Sequence, residues 1–289
     1  MSIASVLIPS EKPHGTASSS SAGPRYSLLL STDPTLVAAA QRLRYDVFSS
    51  TPGFAVPAAG SGQRGAHLDV EPFDEFCDHL LVRNDHTGEL VGCYRMLPPA
   101  GAIAAGGLYT ATEFDIRSFD PLRSSLVEMG RAVVREGHRN GGVVLLMWAG
   151  ILAYLDRYGH DYVTGCVSVP IAGDPAAGRQ IRGVRDFVLQ RHAAAPQHRV
   201  YPYRPVQVQG RGIDDIPPPQ RPTVPPLMRG YLRLGARVCG EPAHDPDFGS
   251  GDFCMLLDKR DADTRYLRRL RSVSAASELA GAMAGRVTP

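Results

Sequence analysis

The chain has no paired cysteines, no membrane-length apolar run and no marked excess of either charge. Its five cysteines, Cys77, Cys93, Cys166, Cys239 and Cys254, are scattered and contain no C-x-x-C pair. That pattern excludes a disulfide framework and a zinc site and points to a reducing cytoplasm. The longest apolar run, Gly141 to Leu155, falls short of the ~20 residues of a membrane span and reads as a buried helix. Met1 to Tyr26 contains Glu11, Lys12 and Arg25 but no sustained apolar core, so no secretory signal is expected there. The 31 basic residues nearly balance the 29 acidic ones, so nothing global calls for nucleic acid. Neither a P-loop nor H-E-x-x-H occurs, and the nine histidines stand in no fixed relation to Cys166. Nucleotide hydrolysis, metal chemistry and a Cys–His nucleophile are therefore not expected.

What is present is 289 residues, 43% hydrophobic, enough for one large core. Residues 1–24, ending in the Ser-rich stretch Ser18 to Pro24, read as disordered, and residues 272–289 as a flexible tail. Between them, residues 25–271 read as one domain. Tyr26 to Leu30 is a strand, and Thr32 or Asp33 caps a helix from Pro34 to about Phe48. Pro52 to Gly65 is a long loop leading into the acidic segment Leu68 to His79. Strands Leu80 to Asn84 and Leu90 to Leu97 form a hairpin, and a Gly/Ala loop and a short helix from Thr110 or Thr112 follow. Later come a strand at Tyr162 to Ile171, a helix from Asp174 to about His192, a proline-rich surface segment at 193–226, and a closing strand at Phe253 to Leu257. This alternation implies a mixed α/β sheet.

The centre of the chain is Leu126 to Leu155. A strand carrying Glu128 and Arg131 runs into the glycine-rich turn Arg135 to Gly142 and then into the apolar helix. Unpaired N–H groups and the helix dipole make such a turn a phosphate site, with Arg135, Arg139, Gly141 and Gly142 as its donors. Glu128, a few residues upstream, is the candidate general base. A purely structural Glu128–Arg131 ion pair is the competing reading.

The order Arg44-x-x-x-Phe48, Asp69, Phe73-Asp74-x-x-Cys77-Asp78-His79-Leu80-Leu81-Val82, Gly92-x-x-Arg95 and Glu128-x-x-Arg131 resembles the ornithine N-acyltransferases of ornithine-lipid synthesis. So do Pro226 to Ala236 and Asp245-x-Asp247-Phe248-Gly249. The resemblance implies a GNAT-type acyltransferase fold, a mixed central sheet with a V-shaped split, flanking helices and a C-terminal extension. It implies transfer of a 3-hydroxyacyl group from acyl carrier protein to the α-amine of L-ornithine, giving lyso-ornithine lipid. Glu128 becomes the catalytic residue, and Arg44, Phe48, Asp69, Asp74, Arg95 and Arg131 bind substrate. An arginine fork would take the carboxylate, and Asp69, Asp74 or Asp78 the side-chain ammonium. Phe48 and Phe54 are candidates for lining an acyl channel. No bound cofactor is expected, since the donor is the acyl-phosphopantetheine of the carrier protein.

The same skeleton is similar to acyl-homoserine-lactone synthases, which usually carry a tryptophan soon after the phenylalanine; here Trp148 is the only one. Coenzyme A-binding relatives usually end the turn motif in Gly or Ala. Arg139-Asn140-Gly141-Gly142-Val143-Val144 ends in a valine, which crowds a pyrophosphate and favours the carrier-protein donor over acyl-CoA. A coenzyme A-dependent acetyltransferase and a non-catalytic module that binds acyl carrier protein or lipid remain alternatives. The cluster Arg131, Arg135 and Arg139 suits an acidic carrier protein. Arg265, Arg268, Arg269 and Arg271, with Tyr266, Leu267 and Leu270, suit peripheral contact with an anionic membrane.

Overall fold

A computed structural model describes residues 4–8, 25–51, 67–139, 141–171, 175–265 and 267–268. The α-helices among the described residues include α1 (Pro34–Ser49), α2 (Pro99–Ala104), α3 (Gly141–Tyr158), α4 (Pro175–Arg191) and α5 (Pro226–Leu234). The main sheet is formed by β1 (Ala4–Ile8), β2 (Tyr26–Ser31), β3 (Asp78–Asn84), β4 (Leu90–Leu97), β5 (Leu126–Val134), β6 (Tyr162–Pro170), β7 (Arg237–Val238), β8 (Ala243–Asp245) and β9 (Ser250–Asp258). Its order is β1-β2-β3-β4-β5-β6-β9-β7, with β8 beside β9. Every pairing is antiparallel except β5 with β6.

That parallel pair positions the site. β5 and β6 are in register at Leu126–Tyr162, Val127–Val163 and Glu128–Thr164, then part, while β9 follows β6 along its whole length. At the parting point a Cβ on Gly165 would lie 2.3 Å from the Met129 carbonyl oxygen, so only glycine fits. Opposite, the β4–β5 ladder shifts between Cys93 and Arg95, so Tyr94 faces both Arg131 and Ala132. Arg131 takes a left-handed backbone, φ 51°, at this bulge.

The sheet separates two cores. On one face α3, α4 and α5 bury Trp148, Ile151, Val184, Met228 and Tyr231 against residues such as Leu80, Val127 and Phe253. On the other, α1 packs Ala40, Leu43 and Val47 on Leu81, Cys93 and Val133, and a short strand at Phe114–Asp115 and the 3₁₀ helix Arg117–Ser125 pack Phe114, Phe119 and Leu122 on Leu97, Leu126 and Leu256. Alternate residues of β4 and β5 thus serve opposite layers.

Most of the expected elements are present. Asp33 caps α1, accepting from Thr35 N at 2.9 Å and Leu36 N at 3.2 Å. Three expectations need correction. Residues 4–8, expected to be disordered, form β1, because Ala-Ser-Val-Leu-Ile pairs along β2 and buries Leu7. The expected Gly/Ala loop contains α2, where Pro99 presets the first turn and Ala residues favour helix. The short helix after it starts at Tyr109 without a side-chain cap, since the Thr110 hydroxyl is used elsewhere. The 52–65 loop with Phe54, the Asp174 cap, and Tyr266, Arg269, Leu270 and Arg271 lie outside the described residues. Leu267 is buried in the core, which removes it from any membrane-facing surface.

Candidate functional site

Arg44 projects from α1 and is 1% exposed. Its guanidinium donates to Asp69 (Nε to Oδ2, 2.7 Å; Nη2 to the carbonyl) and to both oxygens of Asp74 (3.0 and 2.7 Å). Asp74 also accepts from Gln41 Nε2 (2.9 Å) and Glu71 N (3.1 Å). Arg95, on β4, pairs with Glu71 and with Asp74 Oδ1 at 3.4 Å. Arg131, in the β5 bulge, pairs with Glu71 and sits 3.5 Å from Asp69 Oδ2. Three guanidiniums therefore meet three carboxylates from the single segment 69–74. Burial alone would raise the Asp74 pKa, but the Arg44 hydrogen bonds and charge outweigh it and hold the carboxyl well below the usual range.

Glu128 is buried on β5 and does not pair with Arg131. Its carboxylate accepts from Tyr109 N (2.6 Å), Thr110 N (2.7 Å) and the Thr110 hydroxyl. Burial raises its pKa, and these donors oppose the shift. Glu128 thus anchors the turn that carries Tyr109.

A cavity of ≈ 330 Å³ runs through the gap between β5 and β6. On the α1 face its wall is polar, with Arg95, Glu128 and Arg131; on the α3 face it is apolar, with Trp148, Ile151, Tyr231 and Leu257. Phe48 lines it against Phe248 (ring centroids 5.6 Å apart), and the Arg131 guanidinium lies 4.8 Å from the Phe248 ring centroid. The Tyr94 hydroxyl, in the wall opposite the bulge, is buried with no hydrogen-bond partner.

One end is acidic. Asp245 and Asp252 line the cavity with Cys166 and Tyr109, and Glu113 is buried beside them. Atoms of Glu113, Cys166 and Asp252 lie within 4.8 Å of one another. Burial, then the negative charges of Asp252 and Asp245, push Glu113 up to about 8. Burial and Asp245 push Asp252 up to about 6.

The strand–turn–helix from β5 into α3 has the expected shape, although Arg135, Arg139, Gly141 and Gly142 do not line the cavity. The Arg139 Nε donates to the Val134 carbonyl at 3.1 Å, Arg135 lies 3.8 Å from Asp46, and α3 begins at Gly141 and Gly142. Val143 is buried and Val144 is exposed on the first turn of α3.

A family model described as an acetyltransferase (GNAT) domain matches residues 43–149. An L-ornithine N(alpha)-acyltransferase of Rhizobium meliloti (strain 1021) is 31% identical over 79% of this chain and 78% of its own length. The chain belongs to the L-ornithine N(alpha)-acyltransferase family. A second relative of that name, from Brucella abortus (strain 2308), is 29% identical over 82% of this chain and 86% of its own length. Among solved structures, an N-acyl amino acid synthase from uncultured soil microbes has 13% identity and a TM-score of 0.48, covering 82% of this chain and 92% of that one. The fold is that of the GNAT acyltransferases, and the protein is an acyltransferase.

Within this family member, the structure brings Phe48, Arg95, Glu128 and Arg131 to one cavity. It does not bring Arg44, Asp69 or Asp74 there; they form the ionic frame behind its wall, where both Asp74 oxygens and Asp69 Oδ2 are engaged by arginines. Asp78 is likewise engaged, accepting from the Tyr154 hydroxyl at 2.7 Å. Sequence reasoning missed Glu71, the partner that Arg95 and Arg131 share. It also missed Glu113 and Asp252, whose sequence separation from Glu128 conceals their proximity. The Asp245-x-Asp247-Phe248-Gly249 motif was the available signal.

Proposed function

We propose that this acyltransferase moves a 3-hydroxyacyl group from the phosphopantetheine thioester of acyl carrier protein to the α-amine of L-ornithine, giving lyso-ornithine lipid. The observation that carries the reading is a cavity that crosses the sheet, polar on one face and apolar on the other. Such a passage accepts an amino acid from the α1 side and an acyl chain from the α3 side, with the thioester held at the parted strands. The names of the relatives support ornithine as acceptor.

In this reading Arg135, Arg139 and the start of α3 at Gly141 and Gly142 hold the single phosphate of the carrier arm, where the helix dipole favours an anion. Val144 disfavours the bulkier pyrophosphate of coenzyme A. Arg95 and Arg131 bind the ornithine carboxylate, with Phe48 packed beside them. A bulge leaves a residue out of the ladder, so backbone N–H at Arg131 or Ala132 polarises the thioester carbonyl. Glu128 takes the amine proton through water, its basicity raised by burial.

A thiol-release assay with 3-hydroxyacyl carrier protein and a panel of amino acids tests this. Release should depend on ornithine and fall by about 10²–10⁴-fold in Glu128→Gln. Turnover with acyl-CoA but not with the carrier protein would refute the donor, and turnover with another amine alone would refute the acceptor.

A further inference from the structure

We propose that Glu113, Asp245 and Asp252, with the Cys166 thiol, form the socket for the side-chain ammonium of a diamino-acid acceptor, so that this corner of the cavity selects ornithine over monoamines. The inference rests on the acyl-transfer reading above and specifies how its acceptor is recognised.

The socket is built from four separate elements. Cys166 comes from β6, Asp245 from β8 and Asp252 from β9, and Glu113 follows the 3₁₀ turn at Tyr109–Thr112. Two carboxylates have partial support: Asp245 Oδ1 accepts from Asp247 N (2.8 Å) and Phe248 N (3.1 Å), and Asp252 Oδ1 from the Ser250 hydroxyl (2.9 Å). Glu113 differs. It is 4% exposed, and its Oε2 is buried with no hydrogen-bond partner. Its carboxyl is turned to Cys166 and Asp252, whose atoms and its own lie within 4.8 Å of one another.

A buried acceptor left unpaired is costly, and neighbouring like charges in a dry site are costlier still. An ammonium relieves both, since it brings a positive charge and three donors in a tetrahedral fan. The corner opens on the cavity through Cys166, Asp245 and Asp252, so its occupant is part of whatever fills the cavity. A soft metal fits less well, because burial keeps the Cys166 thiol protonated. Other groups that bear on the corner are Tyr109, which acts on Glu113, Glu128 and Cys254, which act on Cys166, and Arg131, which acts on Asp252. Without a cation Glu113, pushed up to about 8, holds its proton at neutral pH; a cation displaces it.

The full-length enzyme can be assayed with ornithine and with norvaline, which has the same chain without the terminal amine. The ratio of kcat/KM for ornithine over norvaline should fall at least ~10-fold in Glu113→Gln and in Asp252→Asn, the scale of losing a charged hydrogen bond. In the wild type this ratio should rise between pH 6 and 9, as Asp252 and then Glu113 ionise, with norvaline controlling for α-amine titration. Calorimetry near pH 7 should show protons released on binding ornithine and none on binding norvaline. If either variant lowered both substrates equally, leaving the ratio unchanged, the residues would be merely structural and the socket would be refuted. Ornithine turnover that requires added zinc, and is abolished by a chelator, would also overturn it in favour of a metal site. Absence of acyl transfer to any amine in the wild type is a different failure, that of the acyl-transfer reading itself.

Discussion

Arg44 places a full positive charge in the interior because all of it is matched by Asp69 and Asp74. Removing one member of such a set leaves buried charge uncompensated. Arg44→Met should therefore cost about 3–5 kcal/mol in urea unfolding, far more than a surface arginine. The neighbouring Arg131 shows the other side of the frame. Its left-handed backbone costs of order 1–3 kcal/mol, and its ion pairs with Glu71 and Asp69 hold it there. Arg131 also lines the cavity, so the ion pairs of the frame fix the guanidinium that, in the acyl-transfer reading, meets the ornithine carboxylate.

At the scale of elements, the parting of β5 and β6 is the decisive feature, and Gly165 sits at its root. Gly165→Ala would drive a methyl group into the Met129 carbonyl oxygen. We expect a stability loss of about 1–3 kcal/mol with a disproportionate fall in kcat/KM, measured by denaturation and steady-state kinetics on the same preparation. Much of this level was legible beforehand. Apolar periodicity and the Asp33-Pro34 start delimit α1, and the strand–turn–helix around Glu128 is readable from its glycines. Long-range pairings were not. Glu128 and Arg131 lie three residues apart and look like partners, yet the bulge between β4 and β5 turns them to different neighbours, Glu128 to Tyr109 and Thr110 and Arg131 to Glu71. No local pattern announces a bulge, because it is a property of two strands. The acid corner was hidden for the same reason: Glu113 and Asp252 meet only once β9 is laid against β6.

For the whole molecule, the buried acids set a pH signature. Glu113 and Asp252 have native values above their unfolded ones, so the folded state holds protons that the unfolded chain releases, and stability falls as pH rises through that window. His79, kept low by burial, acts in the opposite sense below its ordinary value of 6.5. Asp74, held low by Arg44, loses its contribution only in strong acid. The uncompensated fall therefore lies between about pH 6.5 and 8, where Glu113 titrates. The melting temperature of the free protein should drop across that interval, the slope should flatten in Glu113→Gln, and saturating ornithine should reduce it in the wild type.

The sheet that carries this chemistry also has to end somewhere. Its outer strands are β1, five residues with a shifted register between Val6 and Ile8, and β7, only Arg237 and Val238. Long flat borders would offer rows of unpaired N–H and C=O groups to another copy of the chain. Short, irregular borders offer few. The borders of the sheet thus guard against strand-to-strand aggregation, and β1 in particular covers the long edge that β2 would otherwise expose.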